Sequence, residues 1–234
     1  MSLDAAQADE TAIETHYARR VEAPRRVLVL ACGALAKEIL SLRDGPLGAF
    51  DVTCLPANLH NRPERIGEAV RGKIREHRAA YDDILCLYGD CGTGGELDKV
   101  LAEEGVTRIE GPHCYSFYAG APDFDALMDA EPGTFFLTDF LARHFERLVI
   151  EGLGLDRFPQ LRDDYFGHYR RLVYLAQTED PAITARAEAG AARLGLSFER
   201  RFTGLGGLET FLRSTNAVAA NIRAANKVED AWRT

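Results

Sequence analysis

Apolar residues along this chain fall into two alternating patterns. Short unbroken runs suit strands buried on both faces, as in a parallel sheet, and stretches with an apolar residue every third or fourth position suit one-sided helices. The first run, residues 27–31, ends at Cys32-Gly33 and leads into a helical stretch at 34–42 with Leu35, Ile39 and Leu42 on one face. A second strand is predicted at 50–55. After it, Pro63 sits at the first turn of a helix that runs to about Arg78, with Ile66, Val70 and Ile74 at helical spacing. A third strand at 84–87 precedes the turn Tyr88-Gly89-Asp90-Cys91-Gly92-Thr93-Gly94-Gly95, and a helix at 96–104 is closed by Gly105. A short strand at 106–109 runs into Gly111-Pro112-His113-Cys114, and 115–120 opens another helix.

The later part of the chain continues the pattern. Strands are predicted at 133–137, 172–176 and 197–202, and helices at 139–151 (capped by Thr138 or Asp139), 158–170, 182–194 and 207–213. Strand–helix alternation of this kind predicts an α/β protein: a mostly parallel, doubly wound, Rossmann-like sheet of about six strands with helices on both faces. We expect a single α/β domain over 24–215, a polar N-terminal arm or helix at 1–23 and a C-terminal helical tail at 216–234.

Composition narrows the function classes. A net charge of −8 with no dense basic run excludes a non-specific nucleic-acid binder. No run of eighteen apolar residues is present, and residues 1–23 lack the apolar core of a signal peptide. The expected location is therefore the cytoplasm, where thiols stay reduced and five cysteines do not form a disulfide framework. The aromatic-rich middle, from Tyr115 to Phe145, is compatible with core or with the surface of a homo-oligomer.

In an open parallel sheet, ligands bind beyond the carboxyl ends of the strands. Cys32, His60, Asp90, Cys91, His113 and Cys114 all fall in that slot, with glycines around them that allow close backbone approach. Cys54 and Cys86 lie inside apolar strands and read as core. Cys32, Cys91 and Cys114 are candidate metal ligands, with His113 or His60 as a fourth. Three cysteines and a histidine suit zinc, and three cysteines alone suit a [4Fe–4S] cluster with an open iron. His60, His113 and Asp90 are candidate acid–base groups beside an open coordination position. Arg62 and the turn through Gly92, Thr93 and Gly94 are candidates to hold an anionic group of a small substrate. The alternatives are a metal-free thiol enzyme, with Cys91 as nucleophile and His113 as base, and a non-catalytic accessory protein. Tyr88 is assigned to the core, with pocket lining as the sharper option.

Several segments, read in order, carry a resemblance. These are Ala31-Cys32-Gly33-Ala34-Leu35, Leu55-Pro56-Ala57-Asn58-Leu59-His60-Asn61-Arg62-Pro63-Glu64, Tyr88-Gly89-Asp90-Cys91-Gly92, His113-Cys114 and Pro132-Gly133-Thr134-Phe135-Phe136-Leu137-Thr138. Together they resemble the uncharacterised DUF1638 family of bacteria and methanogenic archaea, over about residues 27–212. The resemblance singles out Cys32, His60, Cys91, His113 and Cys114. It implies a role beside corrinoid-dependent methyl transfer, as an enzyme or accessory factor whose partner is a corrinoid methyltransferase component.

Overall fold

The computed structural model describes residues 15–17, 25–45, 47, 50–215 and 218–221. The chain divides into two compact units. The described residues up to Cys114, with those from Gly207 onward, form the first; Tyr115–Gly206 forms the second. The α/β class is as predicted, but the strands do not join one sheet of about six: they form a five-stranded sheet in the first unit and a three-stranded sheet in the second.

The first sheet contains β1 (Thr15–Tyr17), β2 (Val27–Cys32), β3 (Asp51–Leu55), β4 (Asp83–Leu87) and β5 (Thr107–Arg108). Their spatial order is β1-β3-β2-β4-β5. β2 to β5 run parallel, and β1 lies antiparallel on β3. β2 is central because its run Val27 to Ala31 has no polar face to expose, and each of these residues is at most 2% exposed. From β2 the chain passes through α1 (Ala36–Asp44) to β3 on one side. It then returns through α2 (Ile66–His77) to β4 on the other side of β2, and through α3 (Glu96–Glu104) to β5. This reversal makes a topological switch point between β2 and β4, the place where open α/β sheets bind ligands beyond their carboxyl ends.

One face of the sheet is built from Leu28, Leu30, Ile84, Cys86 and Tyr88. They share a core with Ile66, Val70 and Ile74 of α2 and Leu97 and Leu101 of α3. α9 (Gly207–Ser214) belongs to this unit and buries Leu208 and Leu212 completely. Asn221 closes the unit by pairing with the backbone of Arg25, accepting from its N–H at 3.2 Å and donating to its carbonyl at 2.9 Å.

In the second unit β6 (Thr134–Leu137), β7 (Arg171–Ala176) and β8 (Ser197–Phe202) are parallel, in that order. Around them lie α5 (Ala121–Ala130), α6 (Asp139–Arg143), a π-helical turn at Glu146–Glu151, α7 (Leu161–Phe166) and α8 (Pro181–Leu194). α4 (Cys114–Ala119) begins at the junction. The caps follow from the sequence. Thr138 accepts from Leu141 N–H, Asp180 accepts from Ala182 N–H with Pro181 behind it, and Gly195 ends α8 at φ 69°. The buried Asp139 carboxylate ties the end of this sheet together, accepting from Tyr174 Oη, Gln177 N–H and Thr178 Oγ1.

Several local expectations are revised. The helix predicted at 139–151 divides into α6 and the π-helical turn, and that at 158–170 contracts to α7 between Pro159 and Gly167. α5 was not foreseen. Pro122 in its first turn and buried Phe124 and Leu127 account for it. Of the arm expected at 1–23, only Thr15–Tyr17 is described, and it is a strand; of the tail at 216–234 only 218–221 is described, and it is helical. The rest of both segments lies outside the described residues. Among the described residues no helix is long and apolar enough to cross a membrane.

Candidate functional site

β2 and β4 deliver their last residues to the switch point. The register pairs Ala31 with Leu87, so Cys32 and Tyr88 follow side by side at the ends of adjacent parallel strands. Like the Leu28–Ile84 and Leu30–Cys86 pairs before them, they point to the face shared with α2 and α3. Tyr88 is 2% exposed, and its hydroxyl makes no hydrogen bond of normal geometry. It does lie near enough to the Cys32 sulfur for each to influence the ionisation of the other. Leaving a buried hydroxyl unpaired costs about 1–3 kcal/mol.

After Tyr88 the chain turns sharply. Cys91 has φ 50° and is the sole non-glycine residue in the left-handed region among those described; Gly92, Gly94 and Gly95 follow at 86°, 64° and 89°. A cysteine there carries steric strain of about 1–2 kcal/mol. Asp90 holds the turn in place: its carboxylate accepts from Thr93 Oγ1, from Gly95 N–H at 2.9 Å and from Gly94 N–H at 3.3 Å. The turn is tied to the next loop by Asp90 N–H to Gly111 O at 3.1 Å and Cys91 N–H to Pro112 O at 2.8 Å. Gly89 allows this approach, since a Cβ there would meet the backbone of His113 at 3.0 Å. On the other side Pro63 packs near Gly92, where an added Cβ would lie 3.7 Å from the proline ring. The 3-10 turn Ala57–Asn61 before Pro63 carries His60, whose ring centroid is 5.5 Å from that of His113.

Burial dominates the electrostatics. It pushes the Cys91 thiol up to about 12, with the charge of Cys32 adding to the rise; the nearby backbone N–H groups of Cys114 and Gly89 act in the opposite sense. Cys32 is raised for the same first reason, opposed by the N–H of Ala34 and the hydroxyl of Tyr88. His60 keeps an open edge toward solvent, yet the protein around its imidazole lowers its pKa. His113 is lowered by burial and then by His60, against a weaker pull from Asp90. Both imidazoles are therefore neutral near pH 7. Burial raises Asp90, but the hydrogen bonds from Thr93, Gly95, Gly94 and Gly92 outweigh it, and its pKa falls below the ordinary value.

Cys32, Cys91 and Tyr88 thus meet at the ends of β2 and β4, and the Cys114 backbone lies near enough to favour the Cys91 thiolate. His60 and His113 meet at the rim. Asp90 faces into its own turn, and its carboxylate engages the Gly94 N–H expected to hold an anion, together with that of Gly95. Arg62 is exposed at the end of the 3-10 turn. Among the described residues, no group of three or more His, Cys, Asp or Glu is arranged to hold a metal ion. Cys54 and Cys86 are buried within strands, as the apolar runs around them imply. Tyr88 is buried in the core, as assigned; its phase just after β4 sets it on the same face as Ile84 and Cys86 and beside Cys32.

A family model described as a protein of unknown function (DUF1638) matches residues 54–212. No curated protein and no solved structure matches the chain.

Proposed function

The chain belongs to the DUF1638 family, and from that premise we propose that its first unit is a thiolate-based metal site, centred on Cys32 and Cys91 at the switch point between β2 and β4. One observation carries the reading. Cys32 and Cys91 come together at the ends of adjacent parallel strands in one buried cluster, and burial raises both thiols while nearby backbone N–H groups, of Ala34 for Cys32 and of Cys114 and Gly89 for Cys91, favour the thiolate. Such N–H donors stabilise sulfur that bears negative charge and tune thiolate-held metals. A nucleophilic cysteine needs its pKa lowered, whereas burial moves Cys91 in the opposite direction. A soft cation reverses that balance, because it deprotonates a thiol that it binds.

The donor types fit zinc or an iron–sulfur cluster. Two sulfurs form the nucleus; Cys114, His113 and His60 are the neighbours from which the remaining ligands come, by rotation of side chains on the turns at 57–62 and 111–114. When bound, zinc would supply a Lewis acid and a cluster a redox centre. The neutral histidine left outside the metal's shell would accept or return a proton. Arg62, exposed on the rim, would meet a small anionic substrate, and the context we propose is corrinoid-linked methyl transfer in the cytoplasm.

The test is elemental analysis with a UV–visible spectrum of untagged protein purified without oxygen or chelator. The expected result is stoichiometric zinc, or iron and sulfide with broad absorption near 400 nm. Cys32→Ala and Cys91→Ala should each abolish binding, and Cys54→Ala should retain it. Folded protein without metal, which takes up none on reconstitution with zinc or with iron and sulfide, would overturn the reading.

A further inference from the structure

β8 is the outermost strand of the second sheet: it pairs with β7 and, among the described residues, with no other strand. Ser197 N–H donates to Arg170 O at 3.1 Å and Thr203 N–H to Ala176 O at 2.9 Å. With them, Glu199 and Arg201 turn their backbone polar groups to β7, and Phe198, Arg200 and Phe202 turn theirs to the open edge. Such an edge is a template for a further strand, and charged side chains ordinarily keep it solitary. Here the charges are ordered. Phe198-Glu199-Arg200-Arg201-Phe202, read in reverse, keeps its aromatic ends and its central arginine and exchanges Glu199 with Arg201.

We propose that β8 is a homodimer surface, pairing antiparallel with β8 of a second copy about a two-fold axis at Arg200 and joining the two sheets into one. This is independent of the metal reading. In that register the outward groups of Phe198, Arg200 and Phe202 exchange hydrogen bonds with their counterparts. Phe198 faces Phe202 of the second copy, and Phe202, 55% exposed in the single chain, gains an aromatic neighbour. Glu199 faces Arg201 of the second copy. These two side chains already share one face, 2.6 Å apart and open to solvent, so the ion pair within each strand becomes a pair across strands. Arg200 meets its own copy at the axis, where Glu179 at 2.7 Å balances its charge. The next compatible register in either direction sets Glu199 against Glu199 or Arg201 against Arg201, and directly opposed like charges destabilise a strand pair. The sequence of the edge therefore selects one pairing, and the dimer closes without leaving β8 free to extend a chain.

Charge exchange tests it on the full-length protein, with sedimentation velocity over a concentration series as the readout. Wild type should be a dimer. Glu199→Arg and Arg201→Glu should each weaken dimerisation about tenfold or more, since each places like charges opposite one another. Mixing these two variants should restore a dimer containing one of each, and Glu199→Arg with Arg201→Glu in one chain should restore the homodimer. Amide exchange of wild type gives a second measurement that needs no variant: the Arg200 and Phe202 N–H groups should become protected as concentration rises, while those of Glu199 and Arg201 stay protected throughout. A monomer at every concentration would overturn the proposal. So would a dimer that both single variants leave intact, which would place its interface elsewhere, and so would a monomer with Arg200 N–H already protected, in which another part of the chain covers the edge.

Discussion

At Cys91 the backbone adopts a conformation that glycine accepts freely and cysteine does not. Cys91→Gly should therefore be more stable than Cys91→Ala by about 1 kcal/mol in urea unfolding of the metal-free protein; equal stabilities would show that the turn relaxes around either residue. The same thiol, held protonated up to about 12, exists as thiolate to only about one part in ten thousand at pH 8, against about one in ten at the ordinary value of 9.0. Iodoacetamide should label Cys91 at least about 100-fold more slowly in native metal-free protein than in urea-unfolded protein, with peptide mapping as the readout. The sequence exposed the strand-end positions of Cys32 and Cys91 through the apolar runs ahead of them. It did not expose the positive φ or the desolvation, because both arise from the neighbouring turn and the two helices above it.

Among the elements, the turn from Gly89 to Gly95 governs the site. Gly89→Ala would press a methyl group to 3.0 Å from the His113 backbone, so the 111–114 turn, which holds the Cys91 N–H through Pro112 O, must shift. The expected outcome is a folded protein with zinc affinity reduced about tenfold, read by competition with a chelating dye. In the second unit Asp180 caps α8, and Asp180→Ala should cost about 1 kcal/mol, measured by chemical denaturation. Elements of this kind were legible because their signals are local: Glu96–Glu104 ends at Gly105, and Pro181–Leu194 is framed by Asp180 and Gly195. The π-helical turn at Glu146–Glu151 left no such mark. Its residues Val149 and Ile150 are apolar at a spacing that an ordinary helix would also use.

For the whole molecule, alternation of strand and helix specifies parallel pairing without saying which strand pairs with which. Phe135 and Phe136 of β6 look as suited to a first sheet as to a second, and the division into two units is a long-range choice. The buried thiols give the molecule a common response to base. Cys54, Cys86 and Cys91 are each pushed to about 12, chiefly by burial. Above 9.0 the unfolded chain releases protons that the native state keeps, so these groups contribute stability that is full below 9.0 and lost as pH rises toward 12. The urea midpoint of metal-free protein should fall between these values, and Cys54→Ala should lessen the slope; an equal slope would show that other groups carry it.

The second unit is contiguous, whereas the first takes its closing helix from beyond residue 206. On a ribosome adding roughly 5–20 residues per second, all of Tyr115–Gly206 has been made before the buried Leu208 and Leu212 of α9 exist to complete the first unit. The unit started first is finished last. Until Asn221 reaches Arg25 across 196 positions of chain, the nascent polypeptide holds a first unit whose sheet is made but whose last helix is missing, and that interval of several seconds is when a chaperone would have the most apolar surface to bind.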